Sequence, residues 1–474
     1  MKQINKWRLF ALLGGLSIGA DAALGMSLDE YLSTAKNKNP LFQSYDLSVE
    51  AAKARSDSSE LELEPLFTAG YLRSSDKSLP SMIAKERNVE QYSVGLAKKF
   101  WTGTAVKLEA IERDFQNNGP MVPGIERYST GEVGVTVSQS LLKDFFGAGT
   151  RKKIERAQSE AKIGISVAEL QRRGFLLQVE SDFWDYVLAS EDVTLKKANL
   201  ERAQRLEKWM SSRVGNGLGE RADLYNIRAL ATVRQVQYQM AQDELKNQEI
   251  KIRQNLSLAD GETSPVLKGE LSTARSYMQN LKNKKDIVSL EAEVSRLEAK
   301  TKALAAEEVD DGLKPDLNVF GSYAQTSFDN DRSQAIKDVS KSDYPRSTIG
   351  VNLSWPINTG AKNGLSDAAR KEALAAQIRA DNKKRNAQSD WQNLQRKYEV
   401  ALQNVKTLEQ VANLQRERLK EEQNRFSKGR SITQAVVTAE TDAAEAEINL
   451  LKAKSGLRKL EASSLLYVSK EDVL

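Results

Sequence analysis

Two short alternating stretches, GVTVSQSL from Gly134 and GVNLSWPI from Gly350, each run directly into a helical pattern roughly sixty residues long. In the second, Val351, Leu353, Trp355 and Ile357 fall on every other position, as a strand with one apolar face requires. Asn352, Ser354 and Pro356 form the opposite file. A helix of sixty residues is about 90 Å long, which few globular domains can enclose. Because the same strand-to-helix passage occurs in both halves of the sequence, the chain reads as duplicated.

The spacing predicts a first repeat over 23–262. It opens with a helix from Ser27 to about Leu63, capped by Ser27 with Asp29 and Glu30 in the first turn. Strand-like runs follow at 66–73, 92–100, 104–115 and 128–142, within a strand region of 66–142. A helical hairpin over 150–258 comes next, broken at VGNGLG (214–219). A second repeat over 263–474 has a helix to about Asp310, strands within 317–357, and a hairpin over 364–466 broken at SKGR. Gly217 and Gly429 hold matching places in the two breaks, and once they are aligned the following helices share a heptad phase. Val436, Ala439, Ala443, Ala446, Leu450, Ala453, Leu457 and Leu460 match Leu224, Ile227, Ala231, Arg234, Tyr238, Ala241, Leu245 and Gln248. The heptad period and the alanines call for a narrow, closely packed supercoiled seam. A solvated coiled-coil rod accounts for the heptads equally well, but it has no use for half-apolar strands at one end of each hairpin.

Composition narrows the function classes. The 474 residues are 40% hydrophobic with a mean hydropathy of -0.53, too little apolar mass for one large core. A net charge of +5, from 70 basic and 65 acidic side chains, gives no footprint for nucleic acid. Cysteine and histidine are absent, which removes disulfides, thiolate or imidazole metal ligation and the commonest general base. No nucleotide-binding loop or cofactor motif is present, so the chain reads as a non-enzyme with no catalytic, cofactor or metal site. A hydrolase built on carboxylates alone remains chemically open.

Lys2, Lys6 and Arg8, an apolar run from Leu9 to Ala20, and Ala20-Asp21-Ala22 predict a signal peptide over 1–22, cleaved after Ala22. No later stretch has the length of apolar sequence that a membrane-spanning helix needs, which leaves a soluble extracytoplasmic protein or a β-barrel. In a barrel, the apolar file of each strand faces lipid and the polar file faces water. Tyr71, Tyr92, Trp101, Tyr128, Tyr323 and Trp355 are then candidates for the membrane-interface girdle. An ordinary sandwich strand shows the same alternation, so one strand alone does not decide. The run from Tyr92 to Phe115 is an extra hairpin that the second half lacks, and it lies either in the barrel wall or outside it.

The chain resembles the TolC-like outer-membrane efflux proteins over nearly its whole mature length. The resemblance rests on SLDEYLSTAKNKNP with its final Asn39-Pro40, on GVTVSQSLLKDFFGAG and GVNLSWPINTGAKNG, and on RVGNGLGERADL and RFSKGRSITQAV. It implies a mostly α-helical protomer with a membrane β-barrel portion, three of which form one conduit: a shared barrel in the outer membrane and a helical tunnel in the periplasm. It implies a passive duct for efflux or type I secretion, a homotrimer working with a periplasmic adaptor and an inner-membrane pump, and contact with outer-membrane lipid but not nucleic acid. The alternative is a soluble periplasmic coiled-coil scaffold. In the family the helix breaks form the periplasmic tip where adaptors dock, which maps here to Arg213, Val214 and Gly217 and to Arg425, Phe426 and Gly429. Glycine at a break also serves simply to turn the chain. Asp223 stands where the family commonly has a gating aspartate, although a first-turn acid is also favoured by the helix dipole. The second repeat departs from that pattern with Ala435, which leaves Arg430 and Lys428 as possible partners of Asp223 in the gate, Arg430 being the first choice.

Overall fold

A computed structural model describes residues 25–77, 84–120, 122–271, 278, 281, 287–341 and 344–469. The signal-peptide expectation for 1–22 lies outside the described residues. The fold is mostly helical with one large sheet, and contacts divide it into two units.

One unit comprises 1–43, 174–280 and 394–465. It starts with α1 (Leu28–Lys38), whose Ser27 accepts from the Glu30 amide while the Glu30 carboxylate accepts from the Ser27 amide, a reciprocal cap. The single helix expected over 27–63 is broken. Asn39 is extended, as a residue before proline must be, and α2 (Pro40–Asp57) restarts with proline at its first position. The Asn39 side chain accepts from the Leu41 amide and donates to the Asn255 carbonyl, which explains the Asn-Pro pair. The middle of α3 (Ala148–Gly215), which enters this unit at Gly174, and the end of α4 (Arg221–Asn255) pack beside it. Tyr31, fully buried, rests 5.6 Å from the Phe183 ring and accepts a hydrogen bond from Asn255. Val179, Trp184, Val187, Ile252 and Leu256 complete this core.

The sheet lies in the other unit, 44–173, 281–393 and 466–474. Its strands are β1 (Leu66–Asp76), β2 (Ala84–Lys99), β3 (Thr104–Pro120) and β4 (Arg127–Ser140), followed later by β6 (Asp316–Asp329) and β7 (Tyr344–Ser354). All six are antiparallel neighbours in the order β1-β2-β3-β4-β6-β7. The extra hairpin is therefore in the middle of the sheet. β2 starts well before the expected run, because 84–91 is mostly polar, with only Ala84 and Val89 apolar, and carries no alternation, yet pairs along β3 and from Arg87 also along β1. Between β4 and β6 come β5 (Ile287–Ser289), paired with the final β8 (Tyr467–Ser469), and α5 (Leu290–Gly312). The β6–β7 connection forms the short helix α6 (Arg332–Asp338).

The remaining helices are α7 (Thr359–Ser427), of 69 residues against 68 in α3, and α8 (Thr433–Ser463). In the first unit the α8 seam follows the expected heptads: Val436, Ala439, Ala443, Ala446, Leu450 and Leu457 are buried. Ala412 and Leu419 of α7 pack into it. On α4 the expected positions Leu224, Ile227, Ala231, Arg234, Ala241 and Gln248 are buried, and so are Leu230 and Ile252. The buried arginine is answered by a layer of paired charges: Arg202 lies 2.9 Å from Glu440, and Arg416 lies 2.6 Å from Glu447. Burial holds the Arg234 guanidinium below its ordinary pKa, against the attraction of Glu440.

Candidate functional site: an apolar sheet face and two helix turns

The register assigns every strand residue to a face. One face carries Phe67, Ala69 and Tyr71 of β1, Tyr92, Val94 and Leu96 of β2, and Val106, Leu108 and Ala110 of β3. It continues with Val133, Val135 and Val137 of β4, Val319, Gly321 and Tyr323 of β6, and Ile349, Val351 and Leu353 of β7. Most of these are exposed: Val351 at 65%, Leu353 at 62% and Ile349 at 87%. Among the described residues no second sheet covers this apolar face. The other face is mainly polar or small, with Thr68, Gly70, Ser93, Gly95, Thr136, Ser322, Thr348 and Asn352, but also carries Leu72, Ile111 and Phe320. There Arg113 of β3 bonds Gln91 at 2.8 Å and Glu132 at 3.1 Å, and Glu132 also pairs with Arg346 of β7, which staples strands through charge on the water-compatible side.

The apolar file does not run straight across the hydrogen bonds. Its central residues are Ala69, Val94, Leu108, Val135, Gly321 and Val351. Ala69 faces Val94, Val94 faces Ala110, Leu108 faces Val135, Val135 faces Tyr323 and Gly321 faces Ile349. The belt thus stays level from β1 to β2 and from β3 to β4, and slips by one side-chain repeat at each of the other three pairings. Every slip runs toward the strand ends that lead into helices. With a rise of about 3.4 Å per residue and strands about 4.8 Å apart, a level belt means strands tilted by about 40°, the inclination of strands in membrane barrels.

The girdle candidates fall on both margins of this belt, with one correction. Tyr71, Tyr92 and Tyr323 each stand one side-chain repeat above their strand's centre, on the side away from the helices. Trp355 follows β7 at the helical side, with the Lys362 ammonium 4.4 Å from its ring, and Trp101 sits in the β2–β3 turn at that same side. Tyr128 lies on the opposite, polar face, stacked between Phe115 and Phe328 at 4.7 and 5.0 Å. The alternation of β4 is read from its valines, and Tyr128 has the other parity. Above the belt, α6 folds back over the apolar face: Arg332 bonds Glu112 at 2.8 Å and lies 4.2 Å from the Tyr92 ring, while Arg127 meets Asp114 at 2.8 Å. These charges set the belt's upper border.

At its lower border, β4 turns into α3 through a hub. Asp144, in the left-handed region, accepts from the Thr150 amide at 2.8 Å and hydroxyl at 2.6 Å, and pairs with Lys99 at 3.0 Å. Its own amide donates to Asp311 at 2.9 Å. Gly147, at φ 76°, passes so close to the Trp101 carbonyl that a Cβ would stand 2.0 Å from that oxygen. Glu62 reaches both Lys99 and Lys153 from the other side.

In the first unit, the two breaks close with the same hydrogen bonds. Leu218 donates to the Arg213 carbonyl and Gly217 to Val214; Arg430 donates to Arg425 and Gly429 to Phe426. Gly217 at φ 71° and Gly429 at φ 70° have open space around a would-be Cβ, so backbone conformation alone demands them. The expected docking residues divide. Phe426 is buried and Val214 partly buried in one cluster with Met210, Leu224, Ile227 and Val436, and Trp209 lies 4.9 Å from Phe426. Arg213 stacks 4.8 Å over Trp209, and Arg425 pairs with Glu422 at 3.1 Å. The exposed apolar groups at the turns are Leu218 at 67% and Ile432 at 70%. Asp223 is partly buried in the first turn of α4 and Arg430 is exposed. Among the described residues no ion pair joins them within one chain.

No family model and no curated protein matches the sequence. The structure does have counterparts. The outer-membrane channel OprN matches with a TM-score of 0.68 at 13% identity, over 93% of this chain and 89% of that one. VceC, an outer membrane protein of Vibrio cholerae, matches at 0.65 and 14%, over 92% and 95%. The open state of the Neisseria gonorrhoeae MtrE outer membrane channel matches at 0.62 and 15%, over 93% and 88%. The chain has the TolC-like outer-membrane channel fold. Within that fold the expected resemblance holds, and no described helix is long and apolar enough to cross a membrane. At the turns Leu218 and Ile432 stand exposed, whereas Phe426 faces inward.

Proposed function

We propose that the chain is a passive outer-membrane duct: three copies share one barrel, and their paired long helices form a periplasmic tunnel. The observation that carries this reading is the exposed apolar belt, whose slope asks for strands tilted by about 40°, joined at its lower border to helices of 68 and 69 residues. Lipid covers the apolar face and water the polar one. The two halves, 23–262 and 263–474, act as repeats that each give strands to the wall and a hairpin to the tunnel, and 1–22 is a cleaved export signal. The helix turns form the tip, where Leu218 and Ile432 with Arg213 and Arg425 meet a periplasmic adaptor, and Asp223 and Arg430 of different copies face one another at the gate. An inner-membrane pump supplies the energy, a reading that the lack of a nucleotide-binding loop motif in the sequence supports. The similar solved structures are outer-membrane channels, which supports this reading over a soluble scaffold.

Membrane fractionation with planar-bilayer recording tests it. Recovery in the outer membrane, extraction only by detergent, and discrete conductance steps are expected. A protein released by salt alone, without channel activity, would favour the soluble scaffold.

A further inference from the structure

We propose that the barrel has eighteen strands, six from each of three copies, with β7 of one copy antiparallel to β1 of the next and Val351 facing Tyr71 across the seam. The number of copies rests on the channel reading; the seam rests on the sheet itself.

An even count of alternating strands leaves β1 and β7 running in opposite directions at the two edges. A head-to-tail ring of copies then joins edge to edge with no break in the antiparallel order. Neither edge has a further strand beside it among the described residues. All residues of β1 are exposed, as are all of β7 except Gly350. The apolar file runs up to both edges, so a gap there would leave unpaired backbone polar groups at the height of the belt, which lipid does not tolerate. Six strands cannot enclose a lumen on their own, since even about eight merely fill their interior with side chains.

Register follows from the slope. Only even offsets keep apolar against apolar, so Val351 faces either Ala69 or Tyr71. Facing Tyr71 adds one more slip, of the same size and sense as those inside the sheet. It also sets Arg346 opposite Asp76 on the polar face, whereas the other register sets Arg346 opposite Ser74. The strands then tilt by about 43°, and eighteen of them spaced about 4.8 Å apart enclose a backbone diameter of about 38 Å. Twelve at the same tilt enclose about 25 Å. The outer mouth is thus of porin width, and Gly70, Gly95, Gly134 and Gly350 on the polar face keep its wall thin.

The chain has no cysteine, so introduced thiols are the only ones present. Val351→Cys/Tyr71→Cys, and separately the near-isosteric Ser347→Cys/Ser75→Cys, would be oxidised in isolated outer membranes. Covalent rings of three chains, opened by reductant, are expected for both, with little product from Val351→Cys/Ala69→Cys. Rings of two chains would overturn the strand number, and rings only in the Ala69 pair would overturn the register. Native mass spectrometry of the parent separates the remaining failures. A trimer without seam disulfides overturns the seam and leaves the channel reading standing, whereas a detergent-free monomer overturns both.

Discussion

The Trp209 and Phe426 rings meet 4.9 Å apart, which ties the end of α3 to the end of α7 beside the two turns. Phe426 is 7% exposed, so truncation leaves a cavity rather than a bare surface. Phe426→Ala should cost about 3 to 5 kcal/mol, read by denaturant unfolding of the helical signal. Leu218→Ser and Ile432→Ser should stay within about 0.5 kcal/mol of the parent yet weaken adaptor capture. A stable Phe426→Ala variant with lost capture would return the docking role to Phe426.

Glu440 is 2% exposed and holds Arg202 while facing buried Arg234. Removing the acid leaves two cations facing each other in the seam. Glu440→Ala should therefore destabilise by about 3 to 5 kcal/mol, with Arg202→Met/Glu440→Met closer to the parent than the single change. Equal losses in the single and double variants would show that packing, not charge, dominates the layer.

Asp223→Ala and Arg430→Ala should each raise single-channel conductance without lowering thermal stability, and the double variant should add little. On the channel reading, a solvent-accessible pair of this kind contributes only about 0 to 1 kcal/mol, but three copies of it would bias an open–closed equilibrium of a few kcal/mol at the tip. Parent-like conductance in both variants would place the gate elsewhere.

The β4-to-α3 hub should loosen in acid. Hydrogen bonding from Lys153, joined by Lys99, holds the Glu62 carboxyl below its ordinary pKa. Burial pushes the Asp144 carboxyl up, but the Thr150 hydroxyl and amide together with Lys99 bring it below its ordinary value. Both acids bind protons less readily folded than unfolded. Their contribution is thus present above the unfolded values and disappears as pH falls through the depressed ones, below about pH 4. Hydrogen exchange at 141–151 should rise between about pH 5 and pH 3 after correction for intrinsic rates, and Lys99→Met should flatten that rise.

Much of this architecture is legible in the sequence because periodicity is a local signal. Val351, Leu353 and their counterparts in β4 announce strands, and the alanine heptads of α8 announce a tight seam. The membership of Tyr92 to Phe115 in the sheet is not legible, since a pairing partner leaves no mark on a hairpin's own alternation. Tyr128 belongs to the polar face against expectation because an aromatic residue at a strand's start has no phase of its own. Phe426 looks like a docking group in the sequence because a helix break hides which side of the turn is packed. The polar start of β2 is invisible for a simpler reason: its strand character comes from neighbours on both sides.

The placement of the β2–β3 hairpin carries a consequence for how such a wall changes in evolution. A single added strand would reverse the direction in which the chain leaves the sheet, so such a sheet widens only by pairs of strands. A hairpin set between β1 and β4 respects that parity and leaves both outer edges, and so the fit between copies, unaltered. On the channel reading each such pair would be multiplied by the number of copies, so the bore would change in large discrete jumps.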